Sequence, residues 1–194
     1  MEKVWHHTLF NELRVSPEDY ALLMTDAPLN ARENKEKMTE IMFEIFSIPQ
    51  LQIINQSVCA LYASGRTTGV VLDSGDGISH TVPIYEGFAV PHAIQRIFIA
   101  GRDSTNYLKS LLKERNYTFS ASSEDNIIRN IKETMGYVVG DFSHAMREAQ
   151  DSHACEKNYE LPDGSKILIG NERFRCAEIL FNPKLAGHDV NGVH

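Results

Sequence analysis

The residues best suited to chemistry lie in the run Thr68-Gly69-Val70-Val71-Leu72-Asp73-Ser74-Gly75-Asp76-Gly77. Its apolar half predicts a strand, which ends on Asp73 and gives way to a turn with two glycines two positions apart. Ser79-His80-Thr81-Val82-Pro83-Ile84-Tyr85 follows as a second strand of mixed polarity. The stretch therefore predicts a hairpin whose tip can cradle a phosphate. Glycine lets backbone approach an anion closely and takes positive φ without strain. Successive N–H groups in such a turn form a nest for phosphate oxygens. Asp73, at the strand end, suits the hydration shell of Mg²⁺, which binds through few carboxylates and keeps several waters. An ordinary hairpin tip uses the same residue types, and these ten residues alone do not separate the two readings.

Other candidates are single residues with two readings each. Gln56 opens a predicted short helix after an apolar strand. A neutral amide there can orient an attacking water or satisfy helix-terminal backbone groups. His80 lies three residues past the glycine turn, where an imidazole can join a water network or act as a hydrogen-bonded strand residue. Arg129, Lys132 and Glu133 are three and four apart and share one helix face, either against a polar ligand or in solvent. His6 and His7 are adjacent, so on a helix they do not point the same way as metal ligands would. The cysteines (Cys59, Cys155, Cys176) are scattered and odd in number, neither a disulfide framework nor a zinc pattern. Cys155 is expected to be an exposed thiol and Cys59 a core residue.

The elements that must position these residues alternate strand and helix. A helix is expected around Trp5 to Leu13 and a strand over Ala21 to Met24, before a turn at Pro28. Asn30 reads as an N-cap, with Glu33 three residues on, close to a capping box. The helix that follows sets Met38, Ile41, Met42, Ile45 and Phe46 on one face and stops before Pro49. Leu51 to Ile54 predicts a short buried strand, and Ser57 to Ala63 a helix closed by Gly65. Past the hairpin, Ser104 or Thr105 is expected to open a helix that runs to Arg115. Ser122 or Ser123 caps the next, whose apolar face is Ile127, Ile128, Ile131 and Met135. Ser143 to Lys157 reads as a polar connection, and Pro162-Asp163-Gly164 turns a second hairpin. This order predicts an α/β fold, with a boundary near Ala100-Gly101.

Composition excludes several classes. The 194 residues are 42% hydrophobic and 23% charged, enough to bury a core in one or two domains. A net charge of -7 argues against nonspecific nucleic-acid binding, which needs a basic footprint. No apolar run approaches the length of a membrane span, and no secretory signal is apparent, so a reducing cytoplasm and no membrane insertion are expected.

The chain resembles the actin family along its whole length. The resemblance is carried by Trp5-His6-His7-Thr8, Asn11-Glu12-Leu13-Arg14-Val15, Ala27-Pro28-Leu29-Asn30 and Glu36-Lys37-Met38-Thr39. Leu61-Tyr62-Ala63-Ser64-Gly65-Arg66-Thr67-Thr68-Gly69 leads into the glycine turn, and His80-Thr81-Val82-Pro83-Ile84-Tyr85-Glu86-Gly87 leads out of it. Ala100-Gly101-Arg102-Asp103, Tyr159-Glu160-Leu161-Pro162-Asp163-Gly164 and Ile169-Gly170-Asn171-Glu172-Arg173-Phe174-Arg175-Cys176 complete it. Sugar kinases and chaperone ATPases share the phosphate-hairpin logic but not these literal runs.

The resemblance implies an actin-like ATPase fold of the ribonuclease-H-like kind, in part. Residues 1–64 would be the remainder of the first subdomain and 65–100 part of the third, with the phosphate hairpin. Residues 101–188 would form the fourth subdomain and 189–194 a return into the third. It implies ATP or ADP with Mg²⁺ (or Ca²⁺). Asp73 would serve the metal through water, and Ser74, Gly75, Asp76 and Gly77 the phosphates. Gly101, Arg129, Lys132 and Glu133 would lie around base and ribose, and Gln56 and His80 would hold the lytic water. Actin-like subunits and actin-binding proteins are the implied partners. Because the first phosphate hairpin and a later glycine-rich segment of the family have no counterpart here, impaired ATP hydrolysis is expected. The alternative is a non-catalytic interaction protein for actin or its partners. Near Phe181 to Val193 the text is more polar than the family's apolar plug, and Phe98 replaces an acidic residue, as in a divergent member.

Overall fold

The computed structural model describes residues 1–119 and 124–194. The chain divides into two compact units. The first comprises Met1–Asp73 and His80–Gln95; the second comprises Ser74–Ser79 and Arg96–His194.

In the first unit, α1 (Glu2–His6) widens into a π-type turn over His7–Glu12. β1 (Leu22–Asp26) and β2 (Leu51–Asn55) pair in parallel, with Leu22 opposite Leu51 and Asp26 opposite Asn55. A parallel pair needs a long crossover, supplied by α2 (Arg32–Glu40) and a second π-type turn over Ile41–Ile45. Leu9, Met42, Phe46 and Ile48 are buried beneath this pair. β2 runs straight into α3 (Gln56–Ala63), whose first turn is capped by the Asn55 side chain accepting from the Ser57 N–H at 2.9 Å. Gly65 ends it at φ +74°, its N–H donating to the Tyr62 carbonyl. β3 (Gly69–Ser74), β4 (Ser79–Tyr85) and β5 (Phe88–Ala89) are neighbours in that order in a sheet. Val82 and Ile84 of β4 pack on Val58 and Leu61 of α3.

β6 (Gln95–Ile97) carries the chain into the second unit, which is built mainly of α4 (Gly101–Glu114), α5 (Asp125–Met135), α6 (Phe142–Asp151) and α7 (Glu172–Glu178). β7 (Lys157–Glu160) and β8 (Lys166–Ile169) form an antiparallel hairpin. Leu108 and Leu112 of α4, Ile128 and Ile131 of α5, Ile167 and Ile169 of β8 and Cys176 of α7 make one buried cluster. Glu172 is buried at 3% exposure; it accepts from the Gly170 N–H at 2.8 Å and pairs with Arg115 Nε at 2.6 Å.

Several local expectations are corrected. Asn30 caps nothing: its amide donates to the buried Asp26 carboxylate at 2.6 Å, and α2 starts after Ala31. The π-type turn, closed by the Phe46 N–H on the Ile41 carbonyl, shifts the helical phase. Met42 and Phe46 are therefore buried while Ile45 is 53% exposed. β2 is half-buried rather than buried. α4 begins at Gly101, three residues early, because the Asp103 carboxylate accepts from the Ala100 N–H at 2.9 Å. Ser104 instead donates to the Cys176 carbonyl, and Thr105 to the Gly101 carbonyl. The stretch expected as a polar connection holds α6, whose first turn is capped by Asp141 accepting from the His144 N–H. Cys155 and Cys59 are both of intermediate burial. The expected cap at Ser122 or Ser123 lies outside the described residues.

Candidate functional site

In the first unit Gln56 and Asp73 stand at the carboxyl ends of strands. Gln56 directly follows β2, and Asp73 closes the first-unit part of β3. Open α/β sheets bind ligands at such ends. The Gln56 Nε2 donates to Asp73 Oδ2 at 2.8 Å, across 17 residues of sequence. A carboxylate only accepts, so this bond fixes the amide with its nitrogen towards Asp73 and its Oε1 turned away, an acceptor for a water proton. His80, the first residue of β4 within this unit, is buried at 6% exposure. The Asn55 cap and the short β2–α3 junction fix where Gln56 can lie.

In the second unit the turn of residues 74–79 is held from below and from the side. The Gly75 N–H donates to the Ile78 carbonyl at 3.1 Å and closes the turn. Ser79 is fully buried; its hydroxyl donates to the Ile99 carbonyl at 2.6 Å and lies 2.8 Å from the Ser74 hydroxyl. The Gly101 N–H donates to the Gly75 carbonyl at 3.0 Å, and the Arg102 N–H to the Asp76 carbonyl at 2.7 Å. The turn is thus docked on the first turn of α4.

Neither Gly75 nor Gly77 has positive φ, so the expectation that these glycines relieve backbone strain is corrected. Their value is space. A Cβ at Gly77 would meet nothing within 4 Å, whereas one at Gly101 would lie 3.2 Å from the Gly75 carbonyl oxygen and 3.3 Å from Lys132 Nζ. Gly101 permits the close approach that docks the turn.

Beside the turn lies a cavity of about 360 Å³, lined among others by Ser74, Gly75, Gly101, Lys132, Tyr137 and Cys176. Lys132 Nζ donates to the Gly101 carbonyl at 2.8 Å at its edge. Burial pushes the Cys176 thiol up to about 11, so it is a neutral wall residue, not a nucleophile. Asp76 faces cations. Arg102 places Nε and Nη2 on Asp76 Oδ2 at 2.9 and 2.7 Å, and Arg129 Nη2 lies 3.6 Å from Oδ1. The Arg102 hydrogen bond, above all, lowers the Asp76 carboxyl below its ordinary value. Of the expected base-side residues, Lys132 and Gly101 line the cavity, Arg129 turns to Asp76, and Glu133 is exposed away from the lining.

A family model described as Actin matches residues 1–193. The chain belongs to the actin family. Its mixed α/β architecture is a partial actin-like fold. Among the described residues, no helix of this actin-family chain is long and apolar enough to cross a membrane. Two contributors to the actin-type hairpin escaped sequence reasoning as individual residues, Arg102 and Ser79. Each works through a partner 20 or more positions away, Asp76 and Ile99 respectively. Only the literal run Gly101-Arg102-Asp103 pointed towards the first of them.

Proposed function

We propose that this chain binds ATP or ADP with Mg²⁺ (or Ca²⁺) as an actin-type nucleotide protein and, within a complete actin-type site, supports ATP hydrolysis. The observation that carries the reading is the docked turn of residues 74–79 beside the 360 Å³ cavity edged by Lys132. The residues fit the ligand. The space above Gly77 leaves room for phosphate oxygens, and the lysine supplies positive charge. Among the described residues there is no cluster of three or more His, Cys, Asp or Glu to hold a metal directly. A single strand-end carboxylate instead suits a hydrated Mg²⁺.

In this reading Asp73 holds the metal's water shell, and Ser74, Gly75, Asp76 and Gly77 form the phosphate turn. By the family resemblance Gly101, Arg129, Lys132 and Glu133 would lie around base and ribose; of these Gly101 and Lys132 line the cavity, while Arg129 faces Asp76 and Glu133 is exposed away from it. Mg²⁺, when bound, neutralises phosphate charge and orients the phosphate oxygens. Gln56, its nitrogen anchored on Asp73, offers Oε1 to accept a hydrogen bond from the attacking water and so orient it, and His80 helps hold that water. Such catalysis rests on positioning by several parts at once. Titration with fluorescent ATP tests the reading. Mg²⁺-dependent binding by the wild type, weakened at least about tenfold in Asp73→Ala, is expected; no binding by the wild type sinks it.

We also propose actin-like subunits as partners and a cytoskeletal, cytoplasmic setting. Val70 and Leu72 on β3, 65% and 54% exposed, offer apolar surface for such contacts. Co-sedimentation with actin filaments tests this, with loss in Val70→Asp expected.

A further inference from the structure

We propose that Arg102, assisted by Arg129, masks the Asp76 carboxylate so that the turn of residues 74–79 can accept a polyphosphate. The inference rests on the nucleotide reading above and assigns Arg102 as a positioning residue for it. A carboxylate in a phosphate-binding turn is a contradiction in charge, since it repels the ligand that the turn is meant to hold. In this chain each of its oxygens faces a guanidinium. Oδ2 accepts two bonds from the Arg102 guanidinium at 2.9 and 2.7 Å, and Oδ1 faces the Arg129 guanidinium at 3.6 Å.

Stability does not explain the arrangement. Arg102, Arg129 and Asp76 have side chains 67%, 53% and 45% exposed, and exposed ion pairs contribute little to folding. Nor is the guanidinium needed to dock the turn. The Gly101 N–H to Gly75 carbonyl bond and the Arg102 N–H to Asp76 carbonyl bond are made by backbone. What the side chain adds is charge. With Arg102, Arg129 and Lys132 counted against Asp76 and Asp103 the neighbourhood is net positive, and without Arg102 that excess is gone and the freed Oδ2 faces the incoming anion. Two guanidinium donors fixed on one carboxylate oxygen do this better than a single ammonium point charge.

The test is MgATP titration of the full chain as wild type, Arg102→Gln, Asp76→Asn and the double variant, with adenosine as a phosphate-free control. Arg102→Gln should weaken ATP at least tenfold and adenosine less than twofold. The double variant should regain most of the loss, because there is no carboxylate left to mask. Arg102→Lys should fall between wild type and Arg102→Gln. If Arg102→Gln binds ATP like the wild type, or the double variant is as weak as Arg102→Gln, the mask is overturned while the nucleotide reading stands. If the wild type binds no ATP, both fall together. Should Arg102→Gln lose its fold, Asp76→Asn with and without Arg102→Lys carries the same comparison: the lysine variant must be weaker only when Asp76 is present.

Discussion

The second unit contains two tight turns with an Asp-Gly pair, and they are built on opposite principles. The β7–β8 turn satisfies itself. Gly164 sits at φ +82°, its N–H donates to the Leu161 carbonyl, and the Leu161 N–H donates to the Ser165 carbonyl. Asp163 accepts from the Ser165 N–H at 2.9 Å and from its hydroxyl at 2.7 Å. The turn of residues 74–79 has no positive-φ glycine, and apart from its Gly75–Ile78 closure and the bond between the Ser74 and Ser79 hydroxyls it is held by residues distant in sequence: Ile99, Gly101 and Arg102. A turn that only reverses the chain spends its polar groups on itself. The turn of residues 74–79 is anchored from outside, which on the proposed reading leaves its surface free for a ligand.

The largest break in this comparison is expected from Lys132→Ala. Removing the ammonium at the cavity edge should weaken MgATP by at least about tenfold, roughly 1.4 kcal/mol, in a fluorescence titration. Asp163→Ala in the self-contained turn should leave nucleotide affinity unchanged while lowering the midpoint of urea unfolding slightly. Next in size is backbone space. Gly101→Ala pushes a methyl group against the Gly75 carbonyl and Lys132, and should cost about 1–3 kcal/mol in the same unfolding assay. Gly77→Ala meets nothing in the protein and should be near neutral for stability, yet lower ATP affinity.

A smaller effect separates the two aspartates in acid. Both carboxyls are lowered, Asp76 first by the Arg102 hydrogen bond and Asp163 first by the Ser165 hydroxyl. For a carboxyl lowered by folding, the stabilisation is present above the unfolded value, near 4, and is lost as pH falls through the lower folded value. Carboxyl NMR titration should show both aspartates titrating below that unfolded value. In 1 M salt only Asp76 should move back towards it, because its partner is a charge and salt screens charges. Equal movement of both would erase the distinction. Smallest is a reactivity difference. With its thiol pushed up to about 11, Cys176 should alkylate with iodoacetamide after Cys155 and Cys59 at pH 8.

Much of the fold was legible because local chemistry decided it. Gly65 and Gly164 sit at positive φ where turn chemistry put them, and the apolar periodicity of α5 became the buried face of Ile128 and Ile131. The misreadings have two kinds of cause: a side chain that takes a competing partner, near or far, and a widened turn that shifts the helical phase. Asn30 left its cap for Asp26, Ser104 and Thr105 bonded carbonyls instead of opening α4, and one extra residue in the turn at Ile41–Ile45 rotated Ile45 into solvent. For the site, residue types located the hairpin and Asp73. The Gln56–Asp73 bond and the Arg102 fork join positions 17 and 26 apart, and no spacing rule reaches that far.

Glu172 carries a consequence for how this chain can vary. Its buried carboxylate is shared between the Gly170 N–H and Arg115, and a Cβ at Gly170 would come within 3.0 Å of the Arg115 guanidinium. Losing Arg115 leaves the buried Glu172 carboxylate without its cation, which costs about 3–5 kcal/mol, and a side chain at Gly170 crowds the same guanidinium. Drift at these three positions is therefore epistatic: a lineage can leave this arrangement only by coupled replacements, and single-site mutational scans should find it frozen.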